Sequence, residues 1–328
     1  MVEVYGTLGP ACAEGEILRE MFRSGMTGMR LNLSHVSLPA ATKQIEVLHS
    51  AAASCGVKAK LLIDMQGPEL RIGALPAPLL LTEGDTVRLG DGGIPVPAAV
   101  LRALSPGQEL LLDDGRLLLR VSEGGERSRA IVERGGLLKS RKSIALPGVT
   151  VRLPALTDSD LANIALAAEY GVSGVMQPFV RGAEDLKAVR TALDAAGGTE
   201  IRLFAKIESR EGVERLDSLM DGADEIVIAR GDLGNAMPLW QLPAAQKRIA
   251  RTCREAGKPF MVVTQMLASM EQSPVPTRAE LSDIFNAVLD GAASVMVTGE
   301  TAAGRYPVEV IRYLSETVRE AERYLNNQ

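Results

Sequence analysis

The run Leu203-Phe204-Ala205-Lys206-Ile207-Glu208, followed by Glu225-Ile226-Val227-Ile228-Ala229-Arg230-Gly231-Asp232-Leu233-Gly234, decides how this chain folds. Each stretch is a short apolar run that turns polar at its C-terminal end. A helical segment, Gly212–Leu219, is expected between them. Near-continuous apolar strands separated by helices are the pattern of parallel strands buried on both faces. Side chains alternate along a strand, so Lys206 and Glu208 point to one side. A neighbouring parallel strand brings Asp232 beside them. Two carboxylates and an ammonium there suit a hard divalent cation next to an anionic substrate.

The alternation extends in both directions. Before it, strands are expected at Val2–Thr7, Met29–Leu33, Lys60–Asp64 and Gly174–Met176, with helices at Glu14–Ser24, Pro39–Ser54, Thr157 or Asp158 to Tyr170, and Ala183–Ala195. After it come helix Leu242–Ala256, strand Phe260–Val263, helix Arg278–Leu289, strand Ser294–Val297 and helix Pro307–Leu325. From 72 to 145 the pattern breaks into Gly- and Pro-rich text with short β-type runs, and Asp113-Asp114-Gly115 gives a hairpin signal. Setting that insert aside leaves about 250 residues in eight strand–helix units, the usual size of a (β/α)8 barrel. The expected fold is therefore α/β: a (β/α)8 TIM barrel, 1–71 and 146–328, with a small all-β domain, 72–145, inserted after strand three. An open doubly wound sheet shares the alternation, but the count of units and the length favour the barrel.

Composition narrows the function classes. The chain has 328 residues, is 46% hydrophobic and 23% charged, and carries a formal net charge of −5. That charge argues against a nucleic-acid binder held by phosphate contacts. No apolar run reaches the ~18 residues of a membrane helix, and no signal peptide is expected before the first strand. Cys12, Cys55 and Cys253 form neither a disulfide framework nor a CxxC pair, so a reducing cytoplasm is expected. With only His35 and His49, a zinc cluster has no basis. There is no P-loop and no well-placed GxGxxG.

In barrels, chemistry gathers at the C-terminal strand ends, and six of those ends are polar here. Strand two ends Arg30-Leu31-Asn32-Leu33-Ser34-His35, and strand three ends at Asp64 before Gly67-Pro68-Glu69. Strand five ends at Lys206 and Glu208, strand six at Arg230 and Asp232, strand seven at Thr264-Gln265, and strand eight at Thr298-Gly299-Glu300-Thr301. Singly, Asp232 could cap a turn, and Thr264 or Thr298 a helix. Their recurrence around one barrel points to a site.

These motifs resemble the pyruvate kinase family over nearly the whole length. The stretches that carry the resemblance are Thr7-Leu8-Gly9-Pro10-Ala11, Arg30–His35, Ile63-Asp64-Met65-Gln66-Gly67-Pro68-Glu69-Leu70-Arg71, Lys206-Ile207-Glu208, Ala229–Gly234, Thr264-Gln265-Met266-Leu267-Ala268-Ser269-Met270, Pro276-Thr277-Arg278-Ala279-Glu280 and Thr298–Ala302. The resemblance implies transfer of a phosphoryl group from phosphoenolpyruvate to ADP, giving pyruvate and ATP. It implies Glu208 and Asp232 as ligands of Mg²⁺ (or Mn²⁺), and Asn32, Ser34, Asp64 and the carbonyl of Met65 as a K⁺ site. Lys206 matches the lysine that offsets charge on the phosphoryl group and enolate. Arg30 matches the phosphate-binding arginine, with Arg71 close by, and Gly231, Asp232 and Thr264 match substrate contacts. Thr264 stands where the methyl proton arrives, and Thr298 with Glu300 matches a proton relay. His35 and Lys142 match nucleotide contacts, and Glu69 the form associated with K⁺ dependence. The insert resembles a lid, and Arg278 an interface element of a homo-oligomer built through the barrel.

The sequence also departs from the family pattern. The chain stops at Leu325-Asn326-Asn327-Gln328, so the family's C-terminal domain, with its effector control, is not expected in it. Gln177-Pro178-Phe179 replaces a smaller pair before the phenylalanine, Met65-Gln66 replaces Thr-Lys, and Asn235-Ala236 stands where an acidic residue is usual. Two other readings remain open at this point: a metal-dependent lyase or aldolase acting on the enolate, and a non-catalytic ligand-binding homologue.

Overall fold

The computed structural model describes residues 1–113, 115–125, 128–149, 151 and 153–327. Asp114 of the expected hairpin turn and the terminal Gln328 lie outside the described residues. The chain divides into two compact units. One comprises 1–67, 155–233 and 241–328, and the other 68–154 and 234–240.

The first unit is a closed barrel of eight parallel strands: Glu3–Thr7, Gly28–Asn32, Lys60–Asp64, Val172–Gln177, Arg202–Ile207, Glu225–Ala229, Phe260–Val263 and Ser294–Met296. Each strand pairs with its neighbours in sequence, and the first closes on the eighth with Glu3 opposite Ser294. The open-sheet alternative is thereby excluded. Strand six is buried at all five positions, which explains its unbroken apolar character.

Helices Gly15–Arg23, Thr42–Ser54, Asp158–Leu166, Ala183–Ala195, Leu242–Glu255, Arg278–Leu289 and Pro307–Asn326 alternate with the strands. Thr157 is the cap of its helix. Its hydroxyl accepts from the Asp160 amide while Asp160 accepts from the Thr157 amide. The segment expected as one helix over Gly212–Leu219 is instead a short helix, Arg210–Glu214, followed by a 3-10 turn, Leu216–Leu219. The Ser209 side chain accepts from the Gly212 amide at 3.0 Å and so starts the helix two residues early. The stretch Arg230–Asn235, where Asp232 could have capped a turn, is a short helix. No helix among the described residues is long and apolar enough to cross a membrane.

Inside the barrel, Tyr5, Leu62, Met176, Phe204, Val227, Met261 and Met296 pack as a buried layer. Two large rings fit there because glycine faces them. A Cβ on Gly174 would lie 2.5 Å from Phe204 Cε2, and one on Gly28 would lie 2.6 Å from Tyr5 Cε1. Toward the N-terminal strand ends, Arg202 stacks on Phe204 at 4.8 Å and pairs with Glu225 at 2.7 Å. Toward the C-terminal ends the interior turns polar again, at Thr7, Arg30, Asp64 and Lys206.

The second unit has its own core, including Leu89, Val100, Leu110, Leu112, Leu119 and Leu138. A five-stranded antiparallel sheet runs in the order Ile144–Ala145, Glu109–Leu112, Leu117–Glu123, Arg129–Arg134, Thr86–Arg88. Leu79–Leu81 pairs with Gly136–Leu138, and the helix Ala98–Ala103 lies between strands Thr86–Arg88 and Glu109–Leu112.

Candidate active site

Four charged side chains from three strands meet at the C-terminal end of the barrel interior. In the register of strands two and three, Arg30 lies opposite Leu62 and Asn32 opposite Asp64, which carries the Arg30 and Asp64 side chains to the same end. Arg30 reaches Asp64 Oδ2 through Nε at 2.8 Å and Nη2 at 2.7 Å. Lys206 Nζ donates to both Asp64 oxygens, at 3.0 and 3.1 Å. It also pairs with Glu208 Oε1 at 2.9 Å, as the two-residue spacing requires. All four are buried or nearly so.

The charges set one another. Burial would raise the Asp64 carboxyl, but Lys206 and Arg30 outweigh it and hold it below its ordinary value. Burial would lower Lys206, but Asp64 and Glu208 outweigh it and keep the ammonium charged. Glu208 is pushed up to about 7, first by burial, with Asp232 and Asp64 adding to it against the pull of Lys206. A carboxyl raised by burial, with neighbouring carboxylates adding to it, marks a place short of positive charge.

That shortage is what a divalent cation would relieve. Among the described residues, no three of His, Cys, Asp and Glu converge as a metal-binding group. Two carboxylates, Glu208 and Asp232, are nevertheless the donor set that suits Mg²⁺, which keeps waters and substrate oxygens as its other ligands. For an alkali cation, Asn32, Ser34, Asp64 and the Met65 carbonyl offer only oxygen donors on adjoining strand ends. Asn32 Oδ1 accepts from the Ser34 amide at 3.1 Å, and the Met65 amide donates to the Met176 carbonyl at 3.1 Å.

Two residues to which the sequence reading gave no role at the site fix this end of the barrel. Phe179, in the left-handed region with φ 51°, donates its amide to Glu208 Oε2 at 2.8 Å. Asp283 binds Arg230 Nη1 at 2.6 and 2.8 Å. Arg230 in turn donates to the Thr264 carbonyl through Nη2 at 2.7 Å and Nε at 3.1 Å. Thr264 itself has φ 75°, a strained setting for a β-branched residue. Its hydroxyl accepts from the Gly231 amide at 3.1 Å, which places Gly231 and Asp232 beside it. No glycine marks either strained turn, so composition alone offers no signal for them.

In the short helix Gly299–Ala302 that follows strand eight, Glu300 is buried. Its Oε2 accepts from the Thr298 amide at 2.7 Å and hydroxyl at 3.4 Å, and its Oε1 from the Leu267 amide at 3.3 Å. His35 is exposed, and its amide donates to the Asn32 carbonyl at 3.3 Å. Arg71 and Lys142 belong to the second unit. There Arg71 pairs with Glu69 at 2.8 Å and Lys142 with Asp113 at 2.6 Å.

Comparison with known proteins bears on the family of this barrel. A family model described as the barrel domain of pyruvate kinase matches residues 1–311. A pyruvate kinase of Bacillus licheniformis is 34% identical over 99% of this chain, which covers 58% of that protein. One of Methylorubrum extorquens is 38% identical over 98% of the chain, covering 68% of that protein. The human pyruvate kinase PKLR is 38% identical over 97% of the chain, covering 59% of its length. The chain thus spans between about a half and two thirds of these relatives. With the barrel, the charged strand ends and these matches in agreement, the chain belongs to the pyruvate kinase family.

Proposed function

We propose that this protein transfers the phosphoryl group of phosphoenolpyruvate to ADP, releasing pyruvate and ATP. The observation that carries the reading is the buried Arg30–Asp64–Lys206–Glu208 array. Two cations are fixed by one carboxylate where a barrel binds its substrate, and positive charge placed before reaction needs no reorganisation during it.

In this reading Arg30 and Lys206 face the phosphate, and Gly231, Asp232 and Thr264 contact the rest of the substrate. The bond from phosphorus to the enol oxygen breaks and its electron pair stays on that oxygen. A bond from phosphorus to a terminal phosphate oxygen of ADP forms. Lys206, held charged by Asp64 and Glu208, offsets the negative charge on both the phosphoryl group and the enolate. The enolate then takes a proton at its methylene carbon on the Thr264 side, with Thr298 and Glu300 as the relay. Mg²⁺ or Mn²⁺ held by Glu208 and Asp232 would supply Lewis-acid charge, and K⁺ at Asn32, Ser34, Asp64 and Met65 further fixed charge. Arg71, His35 and Lys142 are assigned to the phosphate and nucleotide side. Residues 72–145 are assigned the role of a lid that excludes water. A homo-oligomer through the barrel and a cytoplasmic setting complete the proposal.

A coupled turnover assay with ADP or GDP, in K⁺ or Na⁺, tests it. Pyruvate should form with Mg²⁺ and K⁺ present, and Na⁺ should not replace K⁺. Folded protein that turns over under none of these conditions refutes the reading.

A further inference from the structure

Gln177 closes strand four and is fully buried, yet no step of the proposed transfer uses it. Its neighbour Met176 belongs to the inner layer of the barrel, so Gln177 points outward. There its Nε2 donates to the Ala155 carbonyl at 2.9 Å and to the Pro178 carbonyl at 3.4 Å. Ala155 is where the chain re-enters the barrel unit, and Gly67 is where it leaves. Gly67 packs on the same turn. A Cβ there would lie 2.5 Å from Pro178 Cγ, and the Gly67 amide is held by Asp160 Oδ2 at 3.0 Å. The Pro178–Phe179 turn is thus wedged between the two points of exit and return. Phe179 then donates to Glu208 from its strained left-handed conformation.

The amide of Gln177 is not there to fill space. Its Oε1 is buried with no hydrogen-bond partner among the described residues. An apolar side chain of the same size would fill the same space, but it would leave the Ala155 carbonyl without its donor.

We propose that Gln177 is a positioning residue. It ties the Pro178–Phe179 turn to Ala155, holds the Phe179 amide on Glu208, and so sets Glu208 for a divalent cation. The part that concerns the cation rests on Glu208 being a metal ligand in the proposed function.

Gln177→Met keeps the volume and removes the amide. Three measurements on the full chain decide the matter: thermal midpoint, hydrogen exchange of the Phe179 amide without metal, and Mn²⁺ binding by electron paramagnetic resonance. The proposal expects little change in midpoint, faster exchange at Phe179, and Mn²⁺ affinity lower by about 10-fold, the effect usual for a group that orients a ligand. Gln177→Leu, read in the same way, covers the case where the methionine variant does not fold. Unchanged exchange at Phe179 with unchanged Mn²⁺ affinity overturns the proposal. If the wild type binds no Mn²⁺, the metal assignment of Glu208 fails instead. The exchange arm still decides the role of Gln177: faster exchange supports it and unchanged exchange overturns it.

Discussion

Replacing Asp64 with asparagine tests the charged array at its centre. The substitution keeps the shape and removes one buried charge that faces two cations. Arg30 loses its charged partner at 2.7 and 2.8 Å, and its other side-chain contact among the described residues is the Thr7 hydroxyl at 3.4 Å. Lys206 loses the charge of a partner held at 3.0 and 3.1 Å but keeps Glu208 at 2.9 Å. Breaking a buried pair costs about 3–5 kcal/mol when the remaining charge has no other partner. Since Lys206 retains Glu208, the low end applies, about 3 kcal/mol. For a unit of this size that corresponds to a midpoint lower by about 6–12 °C. The pH dependence has a definite sign. The folded Asp64 carboxyl lies below its ordinary value of 3.8, so its stabilisation is complete above 3.8 and lost as pH falls toward the folded value. The gap between wild type and Asp64→Asn should therefore hold through neutral pH and close only in acid. Thermal unfolding by far-ultraviolet circular dichroism, without metal and at several pH values, measures it. A variant as stable as the wild type at neutral pH would refute the account of the array as mutually dependent charges.

Two further outcomes follow from the same geometry. Lys206→Met should lower kcat by at least about 10²–10³-fold, as loss of one preorganised charge donor does; a loss under tenfold at saturating substrate would remove Lys206 from the chemistry. Gly174→Ala should destabilise by about 1–3 kcal/mol, because the new methyl would meet Phe204 Cε2 at 2.5 Å and Leu62 Cδ2 at 2.8 Å. Equal denaturant midpoints for variant and wild type would show that the inner layer is looser than its packing indicates.

How much of this was legible in the sequence depended on how local the cause was. Lys60–Asp64 and Phe260–Val263 were read to the residue, because a strand buried on both faces is written as one apolar run. The pairing of Lys206 with Glu208 followed from the period of two. The meeting of Asp64 with both Lys206 and Arg30 did not, because it depends on the register of strands two and three and on closure of the barrel. The start of the helix at Arg210 was missed because a lone serine, Ser209, outweighed the glycine taken as the start. The turns at Phe179 and Thr264 were invisible because their left-handed residues are not glycine. What holds them is long-range: the Glu208 carboxylate for Phe179, and Arg230 with Asp283 for Thr264.

The central claim is that this buried array is a centre for phosphoryl transfer, and phosphorus nuclear magnetic resonance tests it most directly. The wild-type protein would be followed with phosphoenolpyruvate, ADP, Mg²⁺ and K⁺ in one tube. The account predicts that the phosphoenolpyruvate signal decays as the γ-phosphorus signal of ATP grows in equal amount. Phosphorus that stays in phosphoenolpyruvate, or leaves it only as inorganic phosphate, would contradict it.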